Sequence, residues 1–170
     1  MSVRLAAELI VVTDASVLIN LIHIDALASA ASLSRYEFVV VDAVAEEIVD
    51  RGHAAALQVA FNRNQLRKEN LTEPGALALF AELVQIMGRG EAASLALAHE
   101  KDWYLACDEK RVFRRKAVEL LGEGRLLTTP GILVLSIRQG LITVDEADLM
   151  KATLEAKRFR MMFKSFREVV

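Results

Sequence analysis

The stretch Leu9-Ile10-Val11-Val12-Thr13-Asp14 indicates the fold class of this chain. Its apolar residues are mostly β-branched and follow one another without a polar interruption, which predicts a strand that is buried on both faces. Thr13 and Asp14 end the run, and residues 16–22 then change to the apolar spacing of a helix. A buried strand that passes directly into a helix is the repeating unit of α/β domains.

The same unit recurs along the chain. Further strands are predicted at residues 38–41, 103–107 and 125–128, and a short edge strand within 66–72. Helices are predicted at 44–52, 54–66 and 75–87. One more begins at residue 91, another follows Asp108 and ends at about residue 121, and two more span 132–138 and 143–154. We therefore predict one domain over residues 1–170, an α/β, three-layer α/β/α sandwich with a parallel central sheet. A basic C-terminal helical tail is expected from about residue 151.

The composition excludes several classes of protein. Hydrophobic residues make up 54% and charged residues 26% of the 170 residues, which excludes a disordered chain. The single cysteine, Cys107, excludes an intramolecular disulfide framework and a cysteine-based zinc finger. Glu8 and Asp14 interrupt the N-terminal apolar stretch, so we reject a secretory signal. We expect a cytoplasmic protein with no membrane association.

The charge is unevenly distributed. Residues 151–170 carry six basic and two acidic side chains, a net charge of +4, so the other 150 residues carry −6 of the total of −2. A second basic cluster follows Asp108 and consists of Lys110, Arg111, Arg114, Arg115 and Lys116. An acidic body with basic strips can bind an anionic polymer at the strips. Each strip considered alone is better explained as a solvated helix surface.

Acidic residues follow the predicted strands. Asp14, Asp42 and Asp108 each come directly after one, and parallel strands bring their carboxyl ends to the same edge of a sheet. Glu47 and Glu91, on the helices that follow, could join them. One such aspartate alone predicts a helix N-cap, which contributes about 1 kcal/mol. Several together repel one another unless a cation neutralises them, and Mg²⁺ or Mn²⁺ so held can promote phosphodiester cleavage.

Five segments in family order resemble the PIN domain, and specifically the VapC-type toxins. They are residues 11–20, 44–48, 90–98, 105–108 and 129–133, with the sequences VVTDASVLIN, VAEEI, GEAASLALA, LACD and TPGIL. The resemblance spans about residues 9–138 and implies the fold predicted above. It also implies four acids that are both catalytic and metal-holding: Asp14, Glu47, Glu91 and Asp108. Glu47 is preferred to Glu46 because the family's acid comes three residues after the core valine.

The resemblance further implies supporting and substrate-binding residues. Ser16 and either Thr128 or Thr129 would support the acids, Glu109 would be an auxiliary ligand, and Asp42 would be an N-cap. Basic side chains after Asp108 would bind RNA phosphates, and at helical spacing they share one side: Arg111, Arg114 and Arg115.

The function implied is that of a Mg²⁺- or Mn²⁺-dependent ribonuclease, the toxin of a toxin–antitoxin pair. The partners implied are an RNA substrate, a cognate antitoxin and a second copy of the chain in a homodimer. The alternative is a PIN-fold binding or scaffold module that keeps the acids but cleaves nothing. His23, His53 and His99 are scattered along the sequence, and we interpret them as structural or surface residues.

Overall fold

The computed structural model describes residues 9–108 and 111–170. In this part of the chain, five parallel strands form one sheet in the order β3-β2-β1-β4-β5. The strands are β1 (Leu9–Thr13), β2 (Tyr36–Val41), β3 (Arg67–Glu69), β4 (Tyr104–Ala106) and β5 (Leu126–Leu127). The predicted parallel sheet is therefore confirmed, as is the short edge strand, now β3.

Helices connect the strands and cover the sheet. They are α1 (Ala15–His23), α2 (Leu27–Ala31), α3 (Asp42–Glu47), α4 (Arg51–Asn62), α5 (Pro74–Leu83), α6 (Arg89–Lys101), α7 (Val112–Leu121), α8 (Thr129–Arg138) and α9 (Val144–Ala156). Short 3₁₀ turns occur at Glu123–Arg125 and Phe166–Glu168. None of the helices in the described residues is long and apolar enough to cross a membrane.

The direction of the crossovers produces the three layers. The chain moves outward from β1 through β2 to β3 and then returns past β1 to β4. Because such connections are right-handed, the outward and returning helices cover opposite faces of the sheet. Helix α6, on the return, packs against β1, β2 and β4, and α3, α5 and α7 contact it. The predicted α/β/α sandwich is confirmed.

The core lies on both faces of the central strands. Val11, Val12, Val39 and Leu105 are fully buried, which confirms that these apolar runs are strands covered on both sides. Helix α6 is buried almost throughout residues 92–98, where four of the seven side chains are alanine. Small side chains let this helix lie close to the sheet and so bring its N-terminus near the carboxyl ends of the strands.

Some predicted boundaries are wrong. The helices predicted at 44–52 and 54–66 are instead α3 and α4, separated at Asp50, whose Oδ1 accepts a hydrogen bond from the His53 N–H at 2.9 Å and so caps α4. Asp42 is not an N-cap, because it is the first residue of α3 and Val41 precedes it without a side-chain cap. Helix α2 was not predicted. The tail after α9 is mostly turns rather than helix.

Candidate active site

Asp14 lies at the end of β1 and begins the site. Its side chain is 4% exposed and caps α1, since its Oδ2 accepts hydrogen bonds from the Ser16 N–H at 3.3 Å and the Ser16 hydroxyl at 2.9 Å. Burial raises the pKa of Asp14 above its ordinary value; the Ser16 hydrogen bonds oppose this shift, and the negative charge of Glu47 adds to it. The carboxyl group is therefore held in a place where its negative charge is costly without a cation.

Asp108 follows β4 and is connected to Asp14 through one hydroxyl group. The Asp108 N–H donates to Ser16 Oγ at 3.3 Å, and that same hydroxyl donates to Asp14. The Asp108 carboxylate accepts hydrogen bonds from the Thr129 N–H at 2.8 Å, from the Thr129 hydroxyl and from Asn20 Nδ2 at 2.8 Å. Two aspartates from neighbouring strands are thus fixed at one sheet edge.

The structure distinguishes the two candidate threonines. Thr129 is fully buried and contacts Asp108, whereas the Thr128 hydroxyl accepts from the Gly131 N–H at 3.1 Å and caps α8.

Asn20 is a residue to which the sequence analysis gave no role. A signal was present, because Asn20 lies four residues after Ser16 and hence on the same side of α1.

Glu47 belongs to the same sheet edge, and its neighbour Glu46 has a different partner. Glu47 Oε1 accepts a hydrogen bond from the Gly90 N–H at 2.7 Å, at the N-terminus of α6. A Cβ atom on Gly90 would lie 2.4 Å from Glu47 Oε2, so the glycine permits this close approach. Glu46 instead faces Arg89, with 3.7 Å between Oε2 and Nη1.

Glu91 follows Gly90 directly and so lies beside the Glu47 contact. Its Oε2 accepts a hydrogen bond from the Gly88 N–H at 3.1 Å, which places the carboxylate in the cap of α6. It also borders a cavity of about 420 Å³, together with Arg111 and Phe113. The acids therefore form an arc along this edge: the Ser16 hydroxyl joins Asp108 to Asp14, the charge of Glu47 acts on Asp14, and Glu47 accepts the N–H of the residue before Glu91.

The chemistry of this arc fits a divalent cation, although its arrangement is not that of a closed metal site. Within residues 9–108 and 111–170, no group of three or more Asp, Glu, His or Cys side chains is placed to hold a metal ion. The donors are nevertheless carboxylate oxygens, the type that Mg²⁺ and Mn²⁺ prefer, and burial raises the pKa of Asp14, so a cation beside it would favour its ionised form. Glu109 and Lys110 lie outside the described residues.

Three of the basic residues after Asp108 lie in the described part of the chain near the start of α7 and were predicted to share one side; that arrangement stays a prediction. Helix α7 begins only at Val112, so Arg111 precedes the helix. Arg111 borders the cavity with Glu91, whereas Arg114 borders another cavity with Asp108. Arg114 also lies 3.6 Å from Glu123, and Arg115 is exposed. Arg111 and Arg114 thus flank the acids from two directions.

Two of the histidines, although far apart in the sequence, are neighbours in the fold. The rings of His23 and His53 meet edge to face with their centroids 5.0 Å apart, because α1 packs against α4. Burial lowers the pKa of His23, and the charge of Lys157 lowers it further. The pair belongs to the packing between these helices, away from the acids that end the strands.

A family model described as a PIN domain (DUF3368) matches residues 10–170. A search of curated proteins finds no match. Because the family model covers nearly the whole chain, and the sheet order and buried strands agree with such a fold, the chain belongs to the PIN-domain family.

Proposed function

We propose that this chain is a Mg²⁺- or Mn²⁺-dependent ribonuclease and the toxin of a toxin–antitoxin pair, similar to the VapC-type toxins. PIN domains are generally nucleases and typically use divalent metal ions. The observation that carries the proposal is the Ser16 hydroxyl, which joins Asp14 and Asp108 at one sheet edge within electrostatic reach of Glu47. A buried carboxyl group with acidic neighbours and basic flanks suits the binding of cation and phosphate together.

In this proposal each side chain has a defined task. Asp14, Glu47, Glu91 and Asp108 would hold the cation, with Glu91 leaving its cap to do so. When bound, the cation neutralises charge on the phosphodiester and activates water for attack. Thr129 and Asn20 orient Asp108, and the Gly90 N–H orients Glu47.

The basic side chains have a separate task. Arg111 and Arg114 would bind phosphates on either side of the cleaved bond, because they border cavities that also contain Glu91 and Asp108. Contacts of this kind position the nucleic acid without reading its sequence.

The test is cleavage of a mixed RNA pool in Mn²⁺. Asp14→Asn and Asp108→Asn should each abolish cleavage while the protein stays folded. Asp42→Asn is the matched control, since Asp42 also follows a strand at this edge but begins α3 and has no assigned role. Full activity of both site variants would refute the site assignment.

A non-catalytic binding or scaffold module is the second candidate. The observation that favours it is the engagement of Asp108 by Thr129 and Asn20, together with the lack of a three-ligand group among the described residues. RNA binding by the wild-type protein without cleavage in Mn²⁺ or Mg²⁺ would select this candidate.

The remaining partners are also part of the proposal. A toxin needs a cognate inhibitor, so a short neighbouring open reading frame whose product suppresses toxicity on co-expression would support the antitoxin. Homodimer formation is tested by light scattering of the purified chain. Cytoplasmic location is tested by fractionation of the source cells.

A further inference from the structure

A cavity of about 490 Å³ opens beside Asp108, and we call it the tail pocket. Its volume lies within the range of roughly 300–1,000 Å³ that is usual for ligand sites. Asp108 and Arg114 line one side. The other side is formed by residues of the C-terminal segment 157–170, among them Phe159, Arg160, Met162 and Phe163. The C-terminal segment is therefore a wall of a cavity that reaches the candidate active site.

This wall is held in place by specific contacts. The Ser165 hydroxyl and the Phe166 N–H donate to the Asp148 carboxylate on α9, at 2.6 Å and 2.8 Å. Phe166 is fully buried, and Phe163 packs edge to face against it with 4.9 Å between ring centroids. Because the wall is already ordered, a ligand would bind without the entropic cost of ordering it.

The wall combines aromatic rings with cations. Phe159 and Phe163 are half-buried, so each ring is partly available to the cavity, and Met162 at the rim is 94% exposed. Arg114 and Arg160 contribute two guanidinium groups, and the 3.6 Å pair of Arg114 with exposed Glu123 is of the weak surface kind. An apolar cavity in which two guanidinium groups outnumber the single carboxylate of Asp108 favours a ligand with a flat ring and an anionic group.

We propose that the tail pocket binds one unstacked nucleobase of a single-stranded RNA. The base stacks against Phe159 and Phe163, and Arg114 and Arg160 contact its flanking phosphates. Unpaired bases are recognised in this way, by stacking on aromatic side chains within a basic groove. The inference rests on the proposed function and deepens it: since Asp108 lines the same cavity, the pocket holds the base of a nucleotide beside the cleaved bond.

The experiment measures binding of a short single-stranded RNA that carries 2-aminopurine, in EDTA so that no cleavage occurs. The wild-type protein should quench the fluorescence of the probe, because the base becomes stacked. Phe159→Leu should abolish the quenching and weaken affinity about tenfold. Arg160→Gln, at an exposed position, should reduce the slope of log affinity against log salt by about 0.7.

Two matched controls lie outside the tail pocket. Phe61→Leu removes a half-buried ring on α4, and Arg167→Gln removes a positive charge from the same C-terminal segment. The Phe61 variant should bind and quench like the wild type, and the Arg167 variant should keep the wild-type salt slope.

The outcomes separate this inference from the proposed function. Wild-type affinity and quenching in Phe159→Leu, with an unchanged salt slope in Arg160→Gln, would overturn the base site even if the protein cleaves RNA in Mn²⁺. A wild-type protein that does not bind the probe would overturn it too and would leave the pocket to a protein segment. Pocket-dependent quenching without any cleavage in Mn²⁺ would support the base site and refute the ribonuclease.

Discussion

Replacing Gly90 with alanine should greatly reduce activity at the candidate site while changing the stability of the fold only slightly. The new Cβ would lie 2.4 Å from Glu47 Oε2, so the carboxylate must retreat by about 1 Å to reach ordinary contact at 3.4 Å. A displacement of this size at a reacting centre can reduce the rate about 100-fold. We expect a loss of that order in kcat/KM for RNA cleavage in Mn²⁺.

The effect on stability should be much smaller. The lost hydrogen bond between the Gly90 N–H and a charged, exposed carboxylate is worth about 1.5 kcal/mol, at the lower end of its range. Alanine in place of glycine returns up to about 1 kcal/mol of helix propensity. The free energy of unfolding should therefore fall by only about 0.5 kcal/mol, which a urea titration can measure.

Gly75→Ala is the matched control. Gly75 is also the second residue of its helix, α5, and a Cβ there would lie 2.6 Å from a carboxylate oxygen of exposed Glu100. The steric problem is the same, but this glutamate has no part in the site, so activity should be retained. The double variant with Gly90→Ala and Glu47→Gln should lose no more activity than Glu47→Gln alone, because both changes act through the same carboxylate. Activity of Gly90→Ala within threefold of that of Gly75→Ala would refute the placement of Glu47.

Four further measurements test the site. Since burial raises the pKa of Asp14 above 3.8, its ionised form destabilises the native state at neutral pH; Asp14→Asn should melt higher than wild type at pH 7, and the difference should shrink as the pH falls through the raised pKa. Glu47→Gln should lose RNA cleavage and Glu46→Gln should keep most of it; the reverse order would show that the site uses the other glutamate. Millimolar Mn²⁺ should raise the melting temperature, because a ligand that binds only the native state stabilises it; no shift would favour the scaffold candidate. Arg111→Ala combined with Arg114→Ala should weaken RNA binding, reduce the salt slope by about 0.7 for each lost contact and leave the Mn²⁺ shift intact; an unchanged slope would move the RNA path elsewhere.

Local patterns in the sequence were sufficient to predict the fold class, the central strands and most of the helices. Apolar runs predicted the central strands because a strand covered on both sides needs apolar side chains at every position. The helix predicted at 143–154 is α9, and Thr143 and Glu146 cap its start, where each side chain accepts a hydrogen bond from the other's backbone N–H at 3.1 Å and 2.7 Å. These features depend on residues within one turn or one strand of each other, so the spacing of residues along the sequence is enough to predict them.

The contacts that form the site join residues that are far apart in the sequence. Asn20 reaches Asp108 across 88 positions of sequence, and Gly90 reaches Glu47 across 43. Glu46 and Glu47 are adjacent and chemically alike, so only the packing of α3 against α6 decides that Glu47 accepts the Gly90 N–H while Glu46 faces the Arg89 side chain.

The position of the C-terminal segment could likewise not be predicted from the sequence. Its charge was visible in the sequence, but its position was not, because the Asp148 contacts that place it beside Asp108 depend on where α9 packs. The amino-acid sequence alone thus determined the strands, most of the helices and the acids that end the strands, since these follow from short-range spacing. The tertiary structure alone decided which acids share a hydroxyl, which glutamate accepts the Gly90 N–H and which residues lie beside Asp108, since such contacts exist only after distant elements have packed.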